Sequence, residues 1–259
     1  MGKFTRLIYV EMKTRRAKEH FDALQAELDK WLKHPQKYAV AENTDFDHGV
    51  HIVRVEIGFV PETIPVLVGD FVHNLRSALD NLAWELAHLT PKRTFTEAEQ
   101  RRIQFPIFGS ADSTYLSRRS LFPSAVADIF DSLQPYKRGD AFRDDPLWQL
   151  NELWTLDKHR SVPMNSHSMN LGFPGTEWQR YAHPVEDGVE VHFPILMYYT
   201  SKVHLKPTVT VEILFGEFMG DFTITRERLS EIHDFVRKDV IPRFMGFFPE
   251  APDSLKAIT

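Results

Sequence analysis

The chain of 259 residues contains no cysteine. That removes disulfides, thiolate nucleophiles and every zinc site built on sulfur. It also fits a reducing compartment, so a cytoplasmic location is the expectation. No run of about eighteen apolar residues is present, and no membrane-spanning helix is expected. The opening stretch MGKFTRLIYVEMKTRR lacks an apolar segment followed by small residues, so no secretory signal is expected. Arg6 stands where a myristoylation motif beginning at Gly2 needs Ser or Thr. Neither sign of charge dominates: 31 Lys and Arg against 36 Asp and Glu leave a net charge of −5. That balance argues against a broad nucleic-acid surface and leaves room only for a confined basic groove. HExxH, the P-loop, GxSxG and a GxGxxG ahead of a helix are all missing. Zinc-protease, nucleotide-phosphate, serine-hydrolase and dinucleotide chemistry therefore have no foothold, and no cofactor is expected.

What is present is an ordinary globular composition, 42% hydrophobic and 26% charged, with 20 Phe and 5 Trp pointing to an aromatic core. The chain is organised around residues 64–89, IPVLVGDFVHNLRSALDNLAWELAHL. Pro61 and Pro65 introduce this stretch and Pro91 stops it, which predicts one helix of about 40 Å. At about 100° per residue, Ile64, Leu67, Val68, Phe71, Val72, Leu75, Ala78, Leu79, Leu82 and Leu86 share a broad apolar side. His73, Arg76, Ser77, Asp80 and Trp84 lie opposite, with Asp70, Asn74 and Asn81 on a flank. A solvated face usually carries Glu and Lys. Two readings fit this one: a solvated face with a local Arg76–Asp80 or His73–Asp80 contact, or a face covered by another element with paired polar groups at the seam.

Around this rod the pattern predicts α+β architecture: an N-terminal helical bundle with an inserted β-hairpin, then a C-terminal antiparallel sheet with a closing helix. Residues 11–34 read as a helix with Ala17, Phe21, Leu24, Leu28 and Trp31 in a packing seam. Residues 38–44 and 50–59 read as a hairpin turning at 45–49. Residues 103–108 form an apolar run too short for a helix, and 124–133 a short helix entered at Pro123. Residues 146–160, PLWQLNELWTLDKHR, form a further helix, capped by Asp144 or Asp145. Beyond Val162 come strand-like segments at 164–173, 178–183, 189–197, 202–205 and 208–215, with a turn at Asp187-Gly188, and an amphipathic helix over 226–244. The boundary falls near residue 161, dividing 1–161 from 162–259, unless the whole is one continuous domain.

Asp157 projects onto the Leu147, Leu150, Leu153 and Trp154 stripe of the second helix. A carboxylate there costs several kcal/mol unless paired, so Asp157 requires a partner, with Arg76 or His73 as candidates. Its removal would then strand a cation at about 3 kcal/mol or more. Lys158, His159 and Arg160 either complement the negative end of the helix or belong to a site.

His73-Asn74-Leu75-Arg76-Ser77-Ala78-Leu79-Asp80, with Asp157-Lys158-His159-Arg160 later, resembles a widespread bacterial family without an established activity. The likeness runs over residues 11–165 and includes Phe105-Pro106-Ile107 and Gln134-Pro135-Tyr136. More distantly, the chain is similar to HEPN domains, helical bundles that act as metal-independent ribonucleases through Arg, four to six residues, then His. Arg228 to His233 and Arg160 to His167 have that spacing, though neither lies on the central helix. The resemblance implies an RNA or nucleotide substrate, a His that deprotonates a ribose hydroxyl and a cation that stabilises the phosphorane. His73, Arg76, Asp80 and His159 would be the catalytic set, with Asn74, Asp157, Lys158 and Arg160 supporting it. The alternative is a non-catalytic ligand-binding or protein-interaction module in which the same residues are a polar lock. A homodimer is compatible with either. His167, His183 and His192 carry no metal-ligand spacing, and no metal is expected.

Overall fold

The structure, a computed structural model, describes residues 7–90, 93–159, 166–172, 178–185, 188–194, 208–217, 222–251 and 253–255. Helix α1 (Ile8–Leu32) buries Val10, Thr14, Ala17, Phe21, Leu24, Leu28 and Trp31. The alternating spacing of four and three keeps that seam on one side along the whole length. Strands β1 (Tyr38–Asp45) and β2 (Val50–Ile57) pair antiparallel as expected, and Gly49 supplies the positive φ of 66° that their turn needs. Helix α2 (Thr63–Ala87) follows, and α1 packs along it, with Phe21 and Phe71 ring centroids 5.6 Å apart.

Helix α2 buries residues around most of its circumference, Arg76 and Asn74 included. The reading of a face covered by another element therefore holds around Arg76, whereas His73 and Trp84 remain in solvent. The covering pieces are the segment through Phe105 and a later helix. First come α3 (Glu97–Gln100), closed by a Thr96/Glu99 capping box, and α4 (Ser113–Arg119), capped by Asp112. Helix α5 (Ser124–Leu133) then brings Phe130 into an aromatic cluster. Its ring lies 4.9 Å from Phe105, 4.8 Å from Phe122 and 5.1 Å from Phe244. After a 3-10 segment (Pro135–Asp144), α6 (Pro146–His159) begins. Asp145 is its cap: Oδ1 accepts the Leu147 N–H at 2.9 Å, and Oδ2 the Arg138 Nε–H at 2.7 Å.

The later strands are β3 (Ser166–Gly172), β4 (Ala182–Val185), β5 (Gly188–Pro194), β6 (Thr208–Glu217) and β7 (Phe222–Ile224). They divide between two antiparallel sheets. β5 and β4 extend the N-terminal hairpin into the order β1-β2-β5-β4, while β3, β6 and β7 make a three-stranded sheet. The single C-terminal sheet expected from the pattern is thus split, because β2 has a free edge that β5 fills through the Val53–Val191 register. The strand expected from residue 178 begins at Ala182, after a 3-10 turn (Trp178–Tyr181), and the one expected at 202–205 lies outside the described residues.

The closing helix is regular only as α7 (Arg226–Asp234); a π turn (Phe235–Val240) and a 3-10 segment (Ile241–Phe247) follow. Pro242 has no N–H to donate and crowds the carbonyl four residues back, which breaks the α-helical ladder there. Leu229, Ile232, Val236, Val240 and Phe244 nevertheless join the same core as α1, α2, α5 and α6. Among the described residues, no helix is long and apolar enough to cross a membrane.

Candidate functional site

Helices α2 and α6 do meet, as the placement of Asp157 on an apolar stripe requires. The pairing at their seam differs from the expected one. Arg76, only 3% exposed, is committed to its own helix and to the segment beyond it. Its Nη2 lies 3.2 Å from Asp80 Oδ1, one turn along α2, and donates to the Phe105 carbonyl at 2.9 Å. Asp80 Oδ1 in turn accepts the Phe105 N–H at 2.9 Å, so one carboxylate and one guanidinium satisfy both backbone polar groups of a single buried residue. Trp154 of α6 closes the arrangement, its ring centroid 5.4 Å from the guanidinium carbon. Burial pushes the Asp80 carboxyl above the ordinary range, against the pull of Arg76, the Phe105 N–H and Arg118. Burial likewise lowers the Arg76 pKa, while Asp80 opposes that shift.

Asp157 is therefore not the acid that holds Arg76. It lies over the backbone of α2 at Gly69, where an added Cβ would stand 2.3 Å from Asp157 Oδ1. A side chain at this position would push the carboxylate off the helix. Burial raises the Asp157 pKa; the His73 imidazole opposes this and the Asp70 carboxylate adds to it. Among the described residues no hydrogen-bond donor reaches Asp157. His73 itself is exposed, one turn from Gly69.

A polar rim surrounds this pair. His20 of α1 lies 3.7 Å from Asp70, and Lys13 donates to Asn74 Oδ1 at 3.2 Å. Asn74 Nδ2 donates back to the Asp70 carbonyl at 2.8 Å. Lys158 is exposed with Nζ 5.1 Å from the Trp154 ring centroid. The side chain of His159, and Arg160, lie outside the described residues.

Of the residues named from the sequence, the structure thus brings His73 and Asp157 together and commits Arg76 and Asp80 to each other and to the Phe105 backbone. Arg228 and His233 do not form the pair their spacing implied. Arg228 reaches to α6, donating to Gln149 Oε1 at 2.7 Å, whereas His233 is buried beside Phe71, ring centroids 6.4 Å apart. The second match, Arg160 to His167, falls outside the described residues and side chains. One juxtaposition escaped the sequence reading altogether. The β4–β5 register sets His183 opposite Glu190, which brings the His183 and His192 rings to 4.5 Å and leaves His192 Nε2 3.1 Å from Glu190 Oε2. Cross-strand neighbours seven to nine residues apart have no local periodicity to reveal them. Even so, no three His, Asp or Glu side chains among the described residues are arranged to hold a metal ion.

The Asp157 environment makes a stability prediction opposite in sign to the one drawn from the sequence. Its folded pKa is raised, so the folded chain binds the proton more tightly than the unfolded chain. Stability from this group is gained as pH falls through the raised value toward the ordinary carboxylate range, and is lost as pH rises. Asp157→Asn is expected to be neutral or stabilising at pH 7, with a flatter stability profile from the ordinary carboxylate range upward. Urea unfolding at several pH values measures this; a loss of about 3 kcal/mol at pH 7 would restore the buried-partner reading.

The chain matches no protein-family model, no curated protein and no solved structure.

Proposed function

We propose that the chain acts on RNA or a nucleotide by metal-independent acid–base chemistry at the rim of the α2–α6 seam. The observation that carries this reading is the exposed His73 imidazole beside a half-buried carboxylate, Asp157, that no donor among the described residues satisfies. Such a carboxylate favours a protonated partner, and an imidazole titrates where proton transfer is most useful. His73 takes the proton of a ribose 2′-hydroxyl, whose oxygen attacks the adjacent phosphorus; the 5′-oxygen leaves and takes that proton from the imidazolium, which Asp157 stabilises in the interval. The cation facing the developing phosphorane is Lys158, because Arg76 is enclosed by Asp80, Phe105 and Trp154. This is the division of labour that the distant HEPN resemblance implies, with a different cation.

Total RNA incubated with the wild-type chain in excess chelator is expected to be cleaved. His73→Ala is expected to slow that cleavage about a hundredfold or more, and Lys158→Gln to slow it as well. RNA left intact by the wild-type chain would end the catalytic reading. The second reading, a binding module, is favoured by the enclosure of Arg76, whose guanidinium then serves only to join α2, the Phe105 segment and α6. It predicts RNA retained on the protein but not cut.

A further inference from the structure

A second site lies on the other side of α1, where it faces the C-terminal π turn. There a cavity of about 220 Å³ has Arg15, Lys18 and Arg237 in its lining, together with Glu11, Glu19 and Ser254. The acids are already occupied. Glu11 Oε1 accepts the Ser254 hydroxyl at 2.6 Å, and Glu19 Oε2 takes Arg16 Nη1 at 2.9 Å, with its other oxygen 3.9 Å from Arg15. Lys18 is bridged to Asp22 on its own helix. Arg237 has no hydrogen-bond or ion-pair partner among the described residues.

Behind these cations sits His233, 3% exposed, with its Nε2 buried and without a hydrogen-bond partner among the described residues. Phe71 of α2 faces it as a bare ring; the charged groups around it are Lys18 of α1 and, from its own segment, Asp234 and Arg237. Burial holds the imidazole below its ordinary range, and Arg237 and Lys18 push it further down against Asp234, 3.4 Å from Nδ1. A buried, neutral imidazole beside two cations marks a place where positive potential is not fully offset.

We propose that this cavity binds a tetrahedral oxyanion, a phosphate group held by Arg237 and Lys18. Guanidinium meets such a group with two parallel N–H donors, the geometry that suits phosphate best. The same chemistry is carried by free phosphate and by a small phosphomonoester. The proposal is independent of the site at the α2–α6 seam.

Calorimetric titration of the full chain with inorganic phosphate and with glycerol phosphate tests it. Arg237→Gln is expected to weaken binding at least about tenfold, the loss of one charge-assisted contact. Lys18→Gln is expected to weaken it too, whereas Arg243→Gln, which alters an exposed cation outside the cavity, leaves it unchanged. Saturating sulfate, which keeps its charge across the range, is expected to raise the His233 titration midpoint by offsetting the adjacent cations, read from the imidazole proton resonances. Phosphate bound without glycerol phosphate makes the free ion the ligand, and both bound makes it the ester. No binding of either, binding indifferent to Arg237→Gln, or an unmoved His233 titration each overturns the proposal.

Discussion

Arg76→Ala is expected to destabilise the chain by about 3–5 kcal/mol, the cost of leaving one member of a buried ion pair behind. Arg76 is almost wholly enclosed, and Asp80 keeps only 26% of its side chain exposed. Without the guanidinium, Asp80 retains one N–H partner, Phe105, and loses the charge that opposes its desolvation. The Phe105 carbonyl also loses its donor. The substitution further opens space beneath Trp154, whose ring would face a void. Arg76→Lys does not rescue, because an ammonium cannot span the carboxylate, the carbonyl and the ring in one plane. Arg76 Nε and Nη1 are buried without acceptors among the described residues, so the native pair is itself costly. The double variant Arg76→Met, Asp80→Leu is therefore expected to be more stable than Arg76→Ala alone. Denaturant unfolding of the three variants measures this. A loss below about 1 kcal/mol for Arg76→Ala would mean that the guanidinium is not holding the seam.

Phe105→Ala is expected to cost a further large amount, about 3–5 kcal/mol, by a different route. Its ring is fully buried and meets Phe130 edge-on at 4.9 Å, with Phe244 at 6.1 Å on another side. Truncation removes both contacts and leaves a cavity in the centre of the aromatic cluster. The backbone of the same residue carries both hydrogen bonds of the Arg76–Asp80 arrangement. The ring is thus what fixes the backbone groups that the ion pair recognises. The two sites should couple: the double variant Arg76→Ala, Phe105→Ala is expected to lose less than the sum of the single losses, by about 1 kcal/mol or more. Strict additivity would show that ring and ion pair act separately.

Much of the fold was legible because local periodicity reports which face of an element is apolar. The repeat through Ala17, Phe21, Leu24, Leu28 and Trp31 continues in the structure to Val10 and Thr14. The central helix lies within two residues of its expected ends, since Pro61, Pro65 and Pro91 act through their own backbone geometry. Helix α5 matched its expected range, and the hairpin matched to within a few residues. The closing helix was legible only in part, because one proline was enough to convert its second half to π and 3-10 turns.

The candidate site was less legible. That Asp157 lies on a core-facing stripe was visible in the order of residues. Which cation served which acid was not. Arg76 and Asp80 are one helical turn apart, so their meeting carries almost no entropic cost, whereas Arg76 and Asp157 come together only after α6 has docked. The short-range pair therefore wins, and Asp157 is left with His73 over a glycine.

By itself the sequence determined the helices, their apolar seams, the hairpin, and the lack of any thiol. These depend on residue type and spacing within a single element. Only the tertiary structure decided that β5 joins β2, that Gly69 makes room for a carboxylate from α6, and that Arg237 gathers beside Lys18 over a buried histidine. Each of those depends on the distance between segments far apart in the chain, and that distance is set by packing of the whole core rather than by any local pattern.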